Sequence, residues 1–303
     1  MTRTDGPVME SAEPQEGGRV MSAAPPAVVA EGLVFGWGRK PVLHGVDLEV
    51  RRGEVLALVG ANGAGKSTFL QLVCAAEPYR RRFSRATKGR LEVFGLDPQE
   101  KGQRVRSQVG FVADHTELPE WMRVRDHLAL VRAVHPRYDD AEAHRWLDAF
   151  GLDADAKHAT LSKGQRMLES LAVALALRPP LLLLDEPFAG LDPVARRLVA
   201  DGIIEHMCEE DRSVLLVSHS TADVERCADR VAVMAAGRVT AVETVEALRE
   251  RAGGGDLEDA LVAAAAEGRA AGDARPGASR RGSASSCASS FGWRAASGRW
   301  RQV

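Results

Sequence analysis

A chain of 303 residues, 45% of them hydrophobic and 27% charged, is long enough to bury one large core or two small ones. Its formal net charge of −2 excludes nucleic-acid binding driven by overall charge, and no apolar run approaches the roughly 18 residues that cross a bilayer. The four cysteines, Cys74, Cys208, Cys227 and Cys287, form no C-x-x-C pair and no zinc or disulfide spacing, so a reducing cytosol is the expected compartment.

Residues 1–27 are rich in Gly, Pro, Ser, Ala and Glu and lack periodicity, which predicts a disordered lead; they contain no continuous apolar core of a signal peptide. A strand-like pattern begins at Val28. Val42, His44, Val46, Leu48 and Val50 alternate with other residues, as a half-buried antiparallel strand would. Arg51-Arg52-Gly53 supplies a turn. Val55-Leu56-Ala57-Leu58-Val59 then reads as a buried strand, and Phe69-Leu70-Gln71-Leu72-Val73 as the body of a helix.

Between them lies Gly60-Ala61-Asn62-Gly63-Ala64-Gly65-Lys66-Ser67-Thr68, which fits G-x-x-x-x-G-K-[ST] at every fixed position. Glycines let the backbone wrap closely around phosphate oxygens, and the helix that starts near Lys66 adds its positive end. In such a loop the lysine reaches the β- and γ-phosphates and the serine hydroxyl meets Mg²⁺. The plainer alternative is a glycine-rich turn before a helix; the flanking strand and helix favour the phosphate loop.

Farther along, Arg80-Arg81-Arg82 and Arg85 read as a solvated surface loop, and Arg90–Phe94 and Val109–Val112 as short strands. From about Pro119 to Leu177 the pattern is helical, with Leu128, Leu130, Val131, Val134, Trp146, Leu147 and Phe150 as apolar positions and breaks at Pro136 and Gly151. Leu181-Leu182-Leu183-Leu184, Val214-Leu215-Leu216-Val217 and Val231-Ala232-Val233-Met234 are continuous apolar runs of the kind found in parallel sheets. Strands alternating with helices predict an α/β fold. Leu257–Glu267 could form a last helix. Residues 268–303 carry seven arginines against one aspartate and predict a disordered basic tail.

Leu184-Asp185-Glu186-Pro187 places acids at the carboxyl end of a buried strand, where ligands of such sheets gather. Asp185 there suits a second Mg²⁺ contact, and Glu186 a general base or water-positioning group. Leu161-Ser162-Lys163-Gly164-Gln165 opens a helix with Ser162 as its N-cap.

Together these segments resemble the ATP-binding-cassette (ABC) ATPase family over roughly residues 28–267. Gly60 to Thr68 match its Walker A loop. Leu161 to Gln165 match its LSGGQ signature, with Lys163 in place of the first glycine. Leu181 to Glu186 match Walker B and the catalytic glutamate, Ala189-Gly190-Leu191-Asp192 the D-loop, and His219 the switch histidine. Trp37 stands where an aromatic stacks on adenine. Asp114 falls where the family has its Q-loop glutamine, and so could meet Mg²⁺ through water.

The resemblance implies a P-loop NTPase core with a mostly parallel sheet, an antiparallel β-subdomain and an α-helical signature subdomain at about 115–177. It implies ATP and Mg²⁺ as cofactors. Glu186, His219 and Lys66 would be catalytic, and Ser67, Asp185 and Asp114 would hold the metal. Trp37, residues Gly60, Ala61, Asn62, Gly63, Ala64, Gly65, Lys66, Ser67 and Thr68, and Ser162, Gly164 and Gln165 would contact nucleotide. The last three would serve the second subunit of a head-to-tail dimer, homomeric or paired with another ABC ATPase.

The implied partner is a separate transmembrane permease, docking near His115 to Met122 on the cytoplasmic face of the membrane. Glu120 to Arg125, the signature variant and Leu257-Glu258-Asp259 look like ATPases of ABC-2-type exporters. A soluble ABC ATPase serving DNA or ribosomes is the alternative. Its relatives usually carry coiled-coil arms, zinc modules or two cassettes, which this sequence lacks, so no nucleic acid is expected. A small-molecule kinase would leave the signature, D-loop and His219 unexplained.

Overall fold

The strand β3 (Val55–Val59) is buried along its whole length because it lies between other strands and beneath helices on both faces. The computed structural model describes residues 25–37, 40–76, 88–115, 118–209, 211–253, 259–261 and 263. The arginines at 80–82 and 85, nearly all of the N-terminal lead, the basic tail and most of the final helical segment fall outside them.

Two sheets form. The smaller is antiparallel, in the order β2 (Lys40–Val50), β1 (Val28–Trp37), β4 (Lys88–Val93). The larger has six strands in the order β5 (Val109–Val112), β6 (Leu181–Asp185), β7 (Ser213–Ser218), β3, β8 (Arg230–Ala235), β9 (Arg238–Thr244). All its neighbours run parallel except the terminal hairpin β8–β9. Among the described residues the helices are α1 (Lys66–Val73), α2 (Gly102–Arg106), α3 (Val124–Val134), α4 (Asp140–Ala149), α5 (Lys163–Ala176), α6 (Pro193–Met207), α7 (Thr221–Cys227) and α8 (Val245–Ala252), with a 3-10 turn at His158–Thr160.

The apolar runs divide by the strand period of two. Leu56, Leu58, Leu181, Leu183, Leu215 and Val217 face a core shared with α1 and the antiparallel sheet. Leu182, Leu184, Val214 and Leu216 face the helical side, where Trp146, Leu147, Leu171 and Ile203 meet them. Each buried Leu contributes about 1.5–3 kcal/mol of transfer free energy, so Leu181 to Leu184 alone anchor β6 firmly.

Of the apolar positions read on the first helical stretch, Leu128 is buried, whereas Leu130 is 51% and Val134 72% exposed. The helical rotation explains this: Leu130 is turned about 200° from Leu128, onto the opposite face.

The hairpin β8–β9 turns at Ala236 and Gly237 and fastens two other parts. Gly237 N–H donates to the Ala64 carbonyl (3.0 Å), and the Gly237 carbonyl accepts from His44 N–H (2.8 Å). The loop after β3 and the strand β2 are therefore joined through one backbone turn.

Candidate functional site

The chain leaves β3 at Gly60, where a Cβ would stand 2.1 Å from the Met234 carbonyl oxygen of β8; no side chain fits there. The loop closes with Ala64 N–H on the Ala61 carbonyl (3.1 Å). Gly65, at φ 107°, is the N-cap of α1 and makes no side-chain cap hydrogen bond. The first-turn N–H groups thus face the space before the helix with the dipole's positive end behind them. Lys66 is buried, and its Nζ donates to the carbonyls of Gly60 (2.6 Å) and Ala61 (3.2 Å). Burial lowers its pKa, and the nearby carboxylates of Glu186 and Asp185 work against that shift.

The strand ends align the acids with this loop. In register, Asp185 of β6 lies beside Val217 of β7, and Ser218 of β7 beside Val59 of β3. The Ser67 hydroxyl donates to Asp185 Oδ1 at 3.2 Å. Burial pushes the Asp185 carboxyl pKa up; the Ser67 hydrogen bond pulls it down, Glu186 and Asp114 raise it, and Lys66 lowers it.

Glu186 has a left-handed φ of 51°, a conformation costing a non-glycine residue about 1 kcal/mol. It is held there by its N–H on the Val217 carbonyl (3.0 Å) and by its own carbonyl, which accepts from Ala189 N–H (3.1 Å). Its Oε2 lies 2.7 Å from His219 Nδ1, at the end of β7.

A cavity of about 430 Å³ opens here. Its lining brings together Asn62, Gly63, Gly65, Lys66, Ser67, Thr68 and the carboxylates Asp114, Asp185 and Glu186. Gly60, Ala61 and Ala64 shape the loop from behind. Val42 also lines the cavity, a residue not picked out as functional from sequence, because its alternation in β2 marked it only as a strand position.

Other expected residues lie elsewhere. Trp37 meets Phe35 edge-on, with ring centroids 5.3 Å apart, and is not part of the cavity lining. Ser162 and Gln165 form a reciprocal cap at the start of α5: Ser162 Oγ accepts from Gln165 N–H (3.1 Å), and Gln165 Oε1 from Ser162 N–H (2.9 Å). Gly164 is buried against Ala195, where an added Cβ would come within 3.3 Å. None of these three lines the cavity. His219 is 63% exposed at its side chain and reaches the site through Glu186.

The oxygen donors suit a hard cation. Ser67 Oγ and Asp185 already adjoin, and Asp114 faces the same cavity. Among the described residues no three His, Cys, Asp or Glu side chains form a metal cage.

A family model described as ABC transporter matches residues 43–189. The chain is 34% identical over 241 residues to the daunorubicin resistance ATP-binding protein DrrA3 of Streptomyces coeruleorubidus, covering 78% of this chain and 73% of that protein. It is 34% identical over 212 residues to the methionine import ATP-binding protein MetN of Rhizobium etli, covering 67% of this chain and 57% of that protein. Among solved structures, an ATP-binding subunit of an ABC transporter superposes with a TM-score of 0.68 at 28% identity, covering 78% of this chain and 99% of that one.

Proposed function

Since this chain belongs to the ABC transporter family as one of its ATP-binding subunits, we propose that it powers an exporter by hydrolysing ATP beside a separate membrane permease. The observation that carries the ATPase reading is the meeting of Lys66, Ser67, Asp185 and Glu186 around one cavity. Relatives act in both directions. The export reading is supported by length: DrrA3, named for drug resistance, is matched over 73% of its length, the import protein MetN over 57%.

In this reading Asn62 to Thr68 cradle the phosphates and Lys66 neutralises them. Ser67 and Asp185 would hold Mg²⁺, with Asp114 in the same cavity lining, and the ion would supply charge neutralisation for phosphoryl transfer. Glu186 accepts the proton of the attacking water, and His219 holds the Glu186 carboxylate in place. Ser162, Gly164 and Gln165 sit outside their own cavity and would complete that of a second subunit, so the working form is a dimer. Trp37, at the end of β1, would stack on adenine.

The ATP-binding unit spans residues 28–267, its helical part about 115–177. Among the described residues no helix is long and apolar enough to cross a membrane. The chain would act peripherally on the cytoplasmic face, its 118–122 segment and the 70% exposed Trp121 presented to the permease.

Membrane fractionation of tagged Glu186→Gln protein with ATP tests this. Co-purification of a polytopic membrane protein supports the reading. A soluble assembly containing ribosomes or DNA, without a membrane protein, overturns it.

A further inference from the structure

Lys163 is the first residue of α5, so its ammonium sits at the positive end of the helix dipole, an unfavourable place for a cation. Its Nζ stands 3.9 Å from Asp114 Oδ1. That oxygen is buried and has no hydrogen-bond partner among the described residues. Asp114 Oδ2 is taken up differently, 3.2 Å from His115 Nε2.

On its way the lysine crosses Gly190, where an added Cβ would come within 3.2 Å of Nζ and 3.6 Å of Cδ. Gly190 has φ 69° and follows β6 in the turn that leads to α6. Lys163 thereby touches three segments: its own helix start, the Gly190 turn and the chain leaving β5.

Asp114 occupies a shared wall. It lines the nucleotide-side cavity and also a second cavity of about 420 Å³, which Lys163, His158 and Arg166 line as well. A displacement of Asp114 is therefore felt on both sides. Both positions are also those at which the chain departs from the ABC motifs it otherwise follows, and the two departures are neighbours in space.

We propose that Lys163 is a positioning residue for ATP hydrolysis. It works through Asp114, fixing that carboxylate at the cavity wall and tying the start of α5 to it. This rests on the reading of the cavity as the ATP site. The two side chains are 48% and 37% exposed, so the contact acts on geometry more than on stability.

Steady-state ATPase assays on purified wild type, Lys163→Met, Lys163→Arg, Asp114→Asn and the double Lys163→Met/Asp114→Asn test it, with nucleotide-analogue fluorescence for binding and thermal melts for folding. Lys163→Met should lower kcat about fivefold with little change in KM, Lys163→Arg should restore most of it, and the double variant should be no slower than the slower single one. Wild-type kcat in Lys163→Met, or losses that multiply in the double variant, would overturn the proposal. Should Lys163→Met fail to fold, Lys163→Gln takes its place under the same outcomes. A wild-type protein that neither binds nor turns over nucleotide would sink the ATPase reading instead, a separate result.

Discussion

His219 Nδ1 lies 2.7 Å from Glu186 Oε2 and so joins the ends of β7 and β6 through their side chains. Glu186 is itself strained into a left-handed conformation, and backbone hydrogen bonds to Val217 and Ala189 hold it there. Removing the carboxylate charge should leave nucleotide binding intact and lower kcat by about 10²-fold or more, the range of general-base catalysis. His219→Ala removes only the positioning contact, and its kcat should fall less than that of Glu186→Gln. Single-turnover ATP hydrolysis measured beside nucleotide binding checks the order; a slower His219→Ala would reverse the roles.

The Ala236–Gly237 turn gives a stability prediction. Gly237 has φ 73°, and a Cβ there would stand 2.1 Å from the Val42 carbonyl oxygen. The Val42 oxygen is backbone and the Cβ is fixed rigidly to its own Cα, so neither can yield cheaply. Gly237→Ala should cost about 2–3 kcal/mol in urea unfolding. It should also weaken nucleotide binding, because the same turn holds Ala64 of the loop. A stability loss without any change in affinity would show that the loop keeps its shape unaided.

Acid sensitivity should trace in part to His206. This residue is 1% exposed on α6, and burial together with the nearby Arg212 guanidinium lowers its pKa from 6.5 to about 3. Arg212 contacts its Nδ1 at 3.1 Å, which requires the neutral ring as acceptor. The unfolded chain therefore binds a proton that the folded chain refuses. The stabilising term is complete above about pH 6.5 and is lost as pH falls toward 3, at up to about 1.4 kcal/mol per unit. His206→Gln keeps an acceptor for Arg212 and cannot titrate. The stability gap between the two proteins should narrow or reverse between pH 7 and pH 4.5 in denaturant titrations; a constant gap would rule His206 out.

Trp121 offers a test on the partner side. At 70% exposure its removal should leave stability within about 0.5 kcal/mol, as for an ordinary surface position. Recovery of the permease with tagged Trp121→Ala should nevertheless fall several-fold relative to the wild type, read by quantitative mass spectrometry of the membrane pellet. Equal recovery would move the docking surface elsewhere.

What sequence made legible was local. The phosphate loop, Asp185-Glu186 and the Ser162 cap each reside in a few adjacent residues, and a motif that shapes its own backbone can be read in one dimension. The central apolar runs were equally plain, since a strand buried on both faces needs no polar alternation. The hairpin β8–β9 was harder: its turn is Ala236-Gly237, without the Asn-Gly or Asp-Gly signal of a tight hairpin. Val42 at the cavity, Trp37 against Phe35 and Lys163 beside Asp114 all arise from packing between distant segments, and no periodicity records such meetings.

The order of the large sheet has one more consequence. β7 lies between β3, which ends in the phosphate loop, and β6, which ends in the acids. Two strand spacings, about 9–10 Å, separate those ends. The gauge between cradle and acids is thus set by the hydrogen-bond lattice of the backbone. Side chains beneath the site can drift in size without resetting it, whereas a strand slip of one residue would turn Asp185 to the other face, away from Ser67.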